Sequence, residues 1–392
     1  MRNGLGLVLT IVTALLIIVF TALPAHAQGI YVTPPSCWWY MQVNESYIVL
    51  YDYGSEAYTI YLMTPSEHQT LIQRVGTFAI GEWSIKPQSS LAIQVPSSGD
   101  YIVMVPSSGS CQSGPTLYWT VGQGAPIGAS SFEPVNTDEV LGFFNITAIS
   151  AYNPNGESQF NVPNSGASLQ LNAVLEVQLA DGTTQYYWLQ NVVQFRTSSD
   201  EFILTVAMFN STSKEEFLSN ATVTGNGYVY YSSRYGYYYL YSTPFQTYSL
   251  PFTGYLLIKL VGTNPLVIAF CYVIIQSGSQ YYPPSFNCYD NVTINTPEPV
   301  TNAFITSQPN TLTPPGYAID TEFAFAGYAG GEYTTFNSLA AYLAILYRDN
   351  GAWKPYGGLF MNGWDTGEAV TNLVSTVLPN GFIYITTGSL PS

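Results

Sequence analysis

The stretch YAIDTEFAFAGYAGG, residues 317–331, carries the residue types best suited to acid chemistry. Read as a strand, it places Asp320, Glu322, Ala324 and Ala326 on one face and Ile319, Thr321, Phe323 and Phe325 on the other. The first face holds two carboxylates about 6.7 Å apart by strand rise, beside side chains small enough to leave room for a ligand. Neighbouring carboxyls push their pKa values apart, so one can take a proton from water while the other protonates or polarises a carbonyl. A glutamate beside a glutamine can do similar work, the amide stabilising the oxyanion. TQYYWLQNVVQF (184–195) offers such amides, with Tyr186, Trp188, Gln190, Val192 and Gln194 on one face. Gln190 is a candidate catalytic partner there, and Trp188 and Gln194 are candidates for substrate binding. Glu139 in NTDEVLGFFNIT (136–147) adds another acidic candidate next to Asp138. A plain solvated strand face competes with each of these readings.

WDTGEAV (364–370) contains Asp365-Thr366-Gly367, the tripeptide that carries the catalytic aspartate of pepsin-like proteases. Those enzymes need two copies, each in a loop between strands. Here one copy precedes Val370, Leu373, Val374 and Val377, apolar residues at helical spacing. The local pattern therefore predicts a short C-terminal helix. Asp365 and Glu368 would form its capping box at the positive end of the helix dipole. Catalysis by either carboxylate is the alternative.

The rest of the chain narrows the chemistry. His26 and His68 are the two histidines, and only His68 lies beyond an expected leader, so histidine-dependent triads and a histidine-based zinc site have no support. No P-loop and no dinucleotide fingerprint is present, and no cofactor or metal is expected. Arg2, the apolar run Leu5 to Leu23 and Ala25-His26-Ala27 read as a signal peptide over residues 1–27, with an uncleaved anchor as the alternative. Extracellular or cell-surface localisation follows. Cys37, Cys111, Cys271 and Cys288 then suggest two disulfides. Cys271 and Cys288 flank a hairpin-like segment, which would leave Cys37 for Cys111. Sequons at Asn44, Asn145, Asn210, Asn220 and Asn291 fit a glycosylated exported protein.

Charged residues make up only 8% of the chain, and the net charge is −15, which argues against a nucleic-acid partner. Well below the carboxylate range the acids are neutral, and so few bases remain that the net charge is only about +10. Few ion pairs and little positive self-repulsion suit a protein that stays folded in acid.

β-branched and aromatic runs dominate, which predicts an all-β fold. Residues 28–125 read as a small β-sandwich module. A linker over 121–135 leads to a larger sandwich-like domain over 128–392, with one short C-terminal helix.

NTDEVLGFFNIT, YYWLQNVVQF, ATVTGNG, the II-Q-G hairpin, YAIDTEFAFAGYAGG followed by FNSL, and the DT-x-EA segment occur together, in order, over about residues 128–392. In this they resemble the thermopsins, archaeal acid proteases secreted into hot acid. The resemblance implies that activity, protein or peptide substrates, and a largely β fold unrelated in sequence to pepsin. Glu139, Asp320, Glu322, Asp365 and Glu368 match acidic positions of the family. The resemblance implies one departure: the family's W-L-Q segment can end in Asp, where this chain has Asn191. The resemblance leaves out the N-terminal module and fixes no catalytic pair. Glu322 is the first candidate, with Gln190, Asp365 or Glu368 as its partner. A non-catalytic, glycosylated cell-surface or filament-forming protein associated with the cell envelope is the alternative. A two-carboxylate glycosidase is a third option.

Overall fold

The computed structural model describes residues 30–387 except 45–46, 53, 88, 96, 111–116, 122–125, 154–163, 234–235, 310, 331 and 364–367. Two large sheets, of eleven and fourteen strands, face each other through one apolar core. The pattern that builds them is alternation. In the strand Gly166–Leu179, Ala167, Leu169, Leu171 and Ala173 enter the core, while Ser168, Gln170 and Asn172 face away. The second sheet answers with Val140, Phe144, Leu256, Ile258, Leu343 and Ile345.

The strand order of the first sheet positions the chemistry. Thr321–Ala326 lies antiparallel between Ile127–Ser131 and Gly166–Leu179. Thr184–Arg196, Glu201–Asn210, Gly236–Ser242 and Tyr228–Ser232 follow outwards, all antiparallel. Phe323 and Phe325 anchor the Glu322 strand in the core, which turns Glu322 to the outer face.

The one helix among the described residues is Pro65–Ile72, in the N-terminal part, where Thr64 and Glu67 form a capping box. The helix expected after Asp365 is absent. Val370 lies in the strand Ala369–Thr371, and Val374 and Val377 lie in the strand Val374–Val377. Asn372 separates the strands with φ +65°, and its Nδ2 donates to the Phe336 carbonyl (2.7 Å). β-branched Val and Thr favour this outcome over a helix. With no helix to cap, the capping box of Asp365 and Glu368 falls.

Val374–Val377 also joins the two parts of the molecule. It pairs with Ile383–Thr386 on one side and with Ser89–Gln94 on the other. The N-terminal strands Ser89–Gln94, Tyr47–Asp52 and Leu117–Val121 thus continue the fourteen-stranded sheet. A four-stranded sheet, Trp39–Val43, Asp100–Pro106, Tyr58–Met63 and Gly81–Ile85, closes over them around Ile48, Leu50, Ile60 and Ile102. Cys271 is bonded to Cys288. Cys37 is not free, and Cys111 lies outside the described residues, as does the expected signal peptide. No helix among the described residues is long and apolar enough to cross a membrane.

Candidate active site

Register brings the polar side chains together. Ser130, Glu322, Asn172, Gln190 and Ala207 stand opposite one another, strand by strand, across the first sheet. The next row on the same face is Gly128, Ala324, Gln170, Val192 and Thr205. Cross-strand partners share a face and sit close enough to bond.

Glu322 is fully buried, and its Oε1 accepts from Asn172 Nδ2 at 2.7 Å. Its Oε2 lies against the α-carbon of Gly363: a Cβ built there would come within 2.4 Å of it. Asp320, also buried, accepts from Ser130 Oγ at 2.8 Å.

The amides form a directed chain. The Gly327 carbonyl can only accept, so Ser168 Oγ donates to it (2.6 Å) and itself accepts from Gln170 Nε2 (3.0 Å). Gln170 Oε1 is thereby turned towards the donors of Gln190 (3.0 Å) and Asn172 (3.4 Å). Asn172 is left with its amide nitrogen on Glu322, and its Oδ1 is buried without a partner among the described residues. The network thus aims one donor, Asn172 Nδ2, at Glu322 Oε1.

Gln170, Gln190 and Gln194 open onto a cleft of about 330 Å³. Val192, Ile203, Ala207, Phe209, Tyr238 and Leu240 supply its apolar lining, and Tyr328, Ala329, Gly330 and Glu368 border it. Gln194 holds the segment 327–330 over the cleft by donating to the Tyr328 carbonyl (2.7 Å), and its own Oε1 accepts from Thr205 (2.7 Å). Glu368 is half-buried beside Gly327, where an added Cβ would lie 3.2 Å from the Glu368 Cβ. Burial, followed by the charges of Tyr230 and Glu368, raises the pKa of Tyr238. Among the described residues Arg196 is the one basic side chain lining the cleft.

Glu322, Asp320, Gln190, Gln194 and Glu368 are therefore gathered on or beside one sheet face. Asp365 lies outside the described residues. Trp188 borders the site from a satellite cluster with Val174 and Ile319, stacked on Tyr317 and tilted against Phe209 of the cleft wall. Glu139 is not brought here. It belongs to the second sheet, where it pairs across strands with Lys259 (2.9 Å). Asn191 points the opposite way from Gln190. It is buried in the core, donating to the Leu257 and Cys271 carbonyls (3.0 and 2.9 Å) and accepting from Tyr289 Oη (2.7 Å).

Asn172, Gln170, Ser168 and Ser130 were not among the sequence candidates. Polar residues at every second position of SLQLN, inside an apolar strand, were the available signal. Among the described residues no group of three His, Cys, Asp or Glu could hold a metal ion.

Comparison with known proteins places this arrangement. Residues 116–373 match the family described as Thermopsin. Thermopsin of Sulfolobus acidocaldarius is 34% identical over 275 residues, covering 67% of this chain and 79% of that protein. No solved structure matches. The match spans both strands that carry the Glu322–Asn172 contact and the cleft beside it, and the chain belongs to the thermopsin family of acid proteases.

Proposed function

We propose that the chain is a secreted endopeptidase that cleaves peptide bonds at low pH and high temperature, and that Glu322 is its principal catalytic carboxyl. The observation that carries this is the directed amide network that holds Glu322 one bond from Asn172 and links it to the cleft-facing Gln170 and Gln190. The attacking water binds at Glu322, whose Oε2 packs so closely on Gly363 that a side chain there would displace the carboxylate. Glu322 takes a proton from that water as its oxygen attacks the peptide carbonyl. A cleft-facing group, the Gln190 amide or the Glu368 carboxyl, stabilises the oxyanion. Collapse breaks the C–N bond, and the proton held by Glu322 passes to the leaving amine. The Glu/Gln pairing on a sheet face resembles the chemistry of glutamic peptidases by analogy only.

The composition supports acid operation. Three ion pairs occur among the described residues, Arg196–Glu201, Lys259–Glu139 and Lys354–Asp349, so protonating carboxylates removes few attractive contacts. Secretion rests on the leader-like N-terminus and the Cys271–Cys288 bond. Exposed Asn44, Asn220 and Asn291 are the sequons best placed for glycans; Asn145 Oδ1 is buried in the second sheet. The tyrosine-rich edge hairpin could support a filament, but its Tyr238 and Leu240 already form cleft wall, which favours the peptidase reading.

Digestion of an unfolded protein at pH 2 and pH 7 by the wild type, Glu322→Gln, Asp365→Asn and Glu368→Gln tests this. We expect cleavage at pH 2 only, reduced by a factor of about 10²–10⁴ in Glu322→Gln with its melting temperature retained. Full activity in that variant would remove Glu322 from the mechanism. The other two identify the second acid.

A further inference from the structure

We propose that Arg196 forms a subsite for an anionic group of the peptide substrate, remote from the bond that is cleaved. The inference rests on the peptidase reading above and adds a substrate preference to it.

The cleft has direction. Gln190, Val192, Gln194 and Arg196 line it from alternate positions of one strand, so its floor runs along that strand. From Gln190, in the Glu322 row, to Arg196 is six residues of strand, about 20 Å. An extended peptide laid along this floor has about five or six residues between the Glu322 row and Arg196.

The far end is built differently from the rest. The Arg196 guanidinium sits 3.7 Å above the Phe245 ring, and Phe245 also lines the cleft. A planar guanidinium held on an aromatic face is pre-oriented, and it keeps its charge at any working pH. Its carboxylate neighbour, Glu201, stands off at 3.9 Å, beyond hydrogen-bond distance, and accepts from Ser199 Oγ at 2.9 Å. Tyr328, in the turn that borders the cleft, lines it together with Arg196. The Arg196 Nε is buried with no partner among the described residues.

Among the described residues no other Lys or Arg lines this cleft, so the charge marks one end. Below the ordinary carboxylate range, side-chain carboxyls of a substrate are neutral, while a terminal α-carboxyl ionises somewhat lower. The group recognised is thus a strong acid such as a sulfonate or phosphate ester, joined by a chain-terminal carboxylate only where the working pH reaches its range of about 3.3–3.7.

The test uses the full chain and a set of apolar peptides that share one cleavable bond. One arm places cysteic acid, a permanent sulfonate, at successive distances from that bond. A second compares free C-terminal carboxylate with C-terminal amide at matched lengths. Uncharged peptides are the controls, all at the pH where the controls are cleaved fastest. We expect kcat/KM to rise about fivefold over control, through KM, when the anion lies about five or six residues away on one side. In Arg196→Gln the ratio of charged to uncharged substrate falls to about one. Arg196→Met, which keeps an apolar stem on Phe245, serves as a second variant should the first fail to fold. Response to either anion supports the subsite, and the two arms show whether a chain end or a side chain supplies it. An effect that ignores position, appears equally on both sides, or persists in both variants overturns it. Failure of the wild type to cleave the controls in acid overturns the peptidase reading itself, and the subsite with it.

Discussion

Gln190 and Asn191 are adjacent in sequence and face opposite worlds. Gln190 opens onto the cleft beside the Glu322 network, whereas Asn191 crosses the core and satisfies two carbonyls of the second sheet and one tyrosine hydroxyl. Asn191 therefore serves packing between the two sheets, and no bond joins it to Glu322. Replacing Asn191 with Leu should destabilise the fold by about 2–4 kcal/mol, because buried partners lose their bonds. Activity per folded molecule should persist. Denaturant unfolding with active-site titration checks this, and a stable but inactive variant would return Asn191 to the mechanism. Gly363 makes the complementary case. Gly363→Ala would put a methyl 2.4 Å from Glu322 Oε2 and 2.7 Å from Pro126 Cγ, so the carboxylate must shift: kcat should fall by at least about tenfold and stability by about 1–3 kcal/mol. Wild-type kcat in the folded variant would show that the placement of Glu322 does not limit the reaction.

Strand alternation does most of the positioning at the level of elements. The Glu322 strand was legible because Phe323 and Phe325 on one face leave Asp320 and Glu322 on the other, and the fold keeps that division. The Gln190 strand was legible for the same reason. The Ser168–Asn172 segment carries an equally regular signal, but only register shows why it matters: pairing sets Asn172 against Glu322 and Gln170 beside Gln190. The segment after Asp365 misled because apolar residues at i, i+3, i+4 and i+7 also fit two short strands broken by a residue at positive φ. Asn372 supplies that break. Periodicity over so few residues does not separate the two cases, whereas the β-branched composition favours strands.

Buried aspartates give the whole molecule a pH preference. Burial raises the pKa of Asp52, Asp100 and Asp290, that of Asp52 from 3.8 to about 6. A carboxyl whose pKa is raised by folding binds its proton more tightly in the folded chain. It therefore contributes stability in acid, and that contribution is lost as pH rises through the folded value. For Asp52 the window runs from its ordinary value near 4 up to about 6. Asp52→Asn should match the wild type at pH 3 and exceed it by about 1–3 kcal/mol above pH 6. Thermal unfolding at pH 3, 5 and 7 reads this directly, and parallel curves for the two proteins would exclude Asp52 as a source. The continuous sheet through Val374–Val377 ties the N-terminal part to the larger one, so a change at Asp52 should register in the main unfolding transition.

What the sequence determined by itself follows from local physics. Composition pointed to carboxylates, carboxamides, Tyr and water as the available chemistry, and alternation chose the faces of the Glu322 and Gln190 strands. What only the tertiary structure decided depends on non-local pairing. It set Glu139 against Lys259 on the far sheet, Glu368 at the rim of the cleft, and Asn172 as the donor to Glu322. Those partners lie from tens of residues to 150 apart in the chain, and a period of two says which face a residue takes but not which strand will lie beside it.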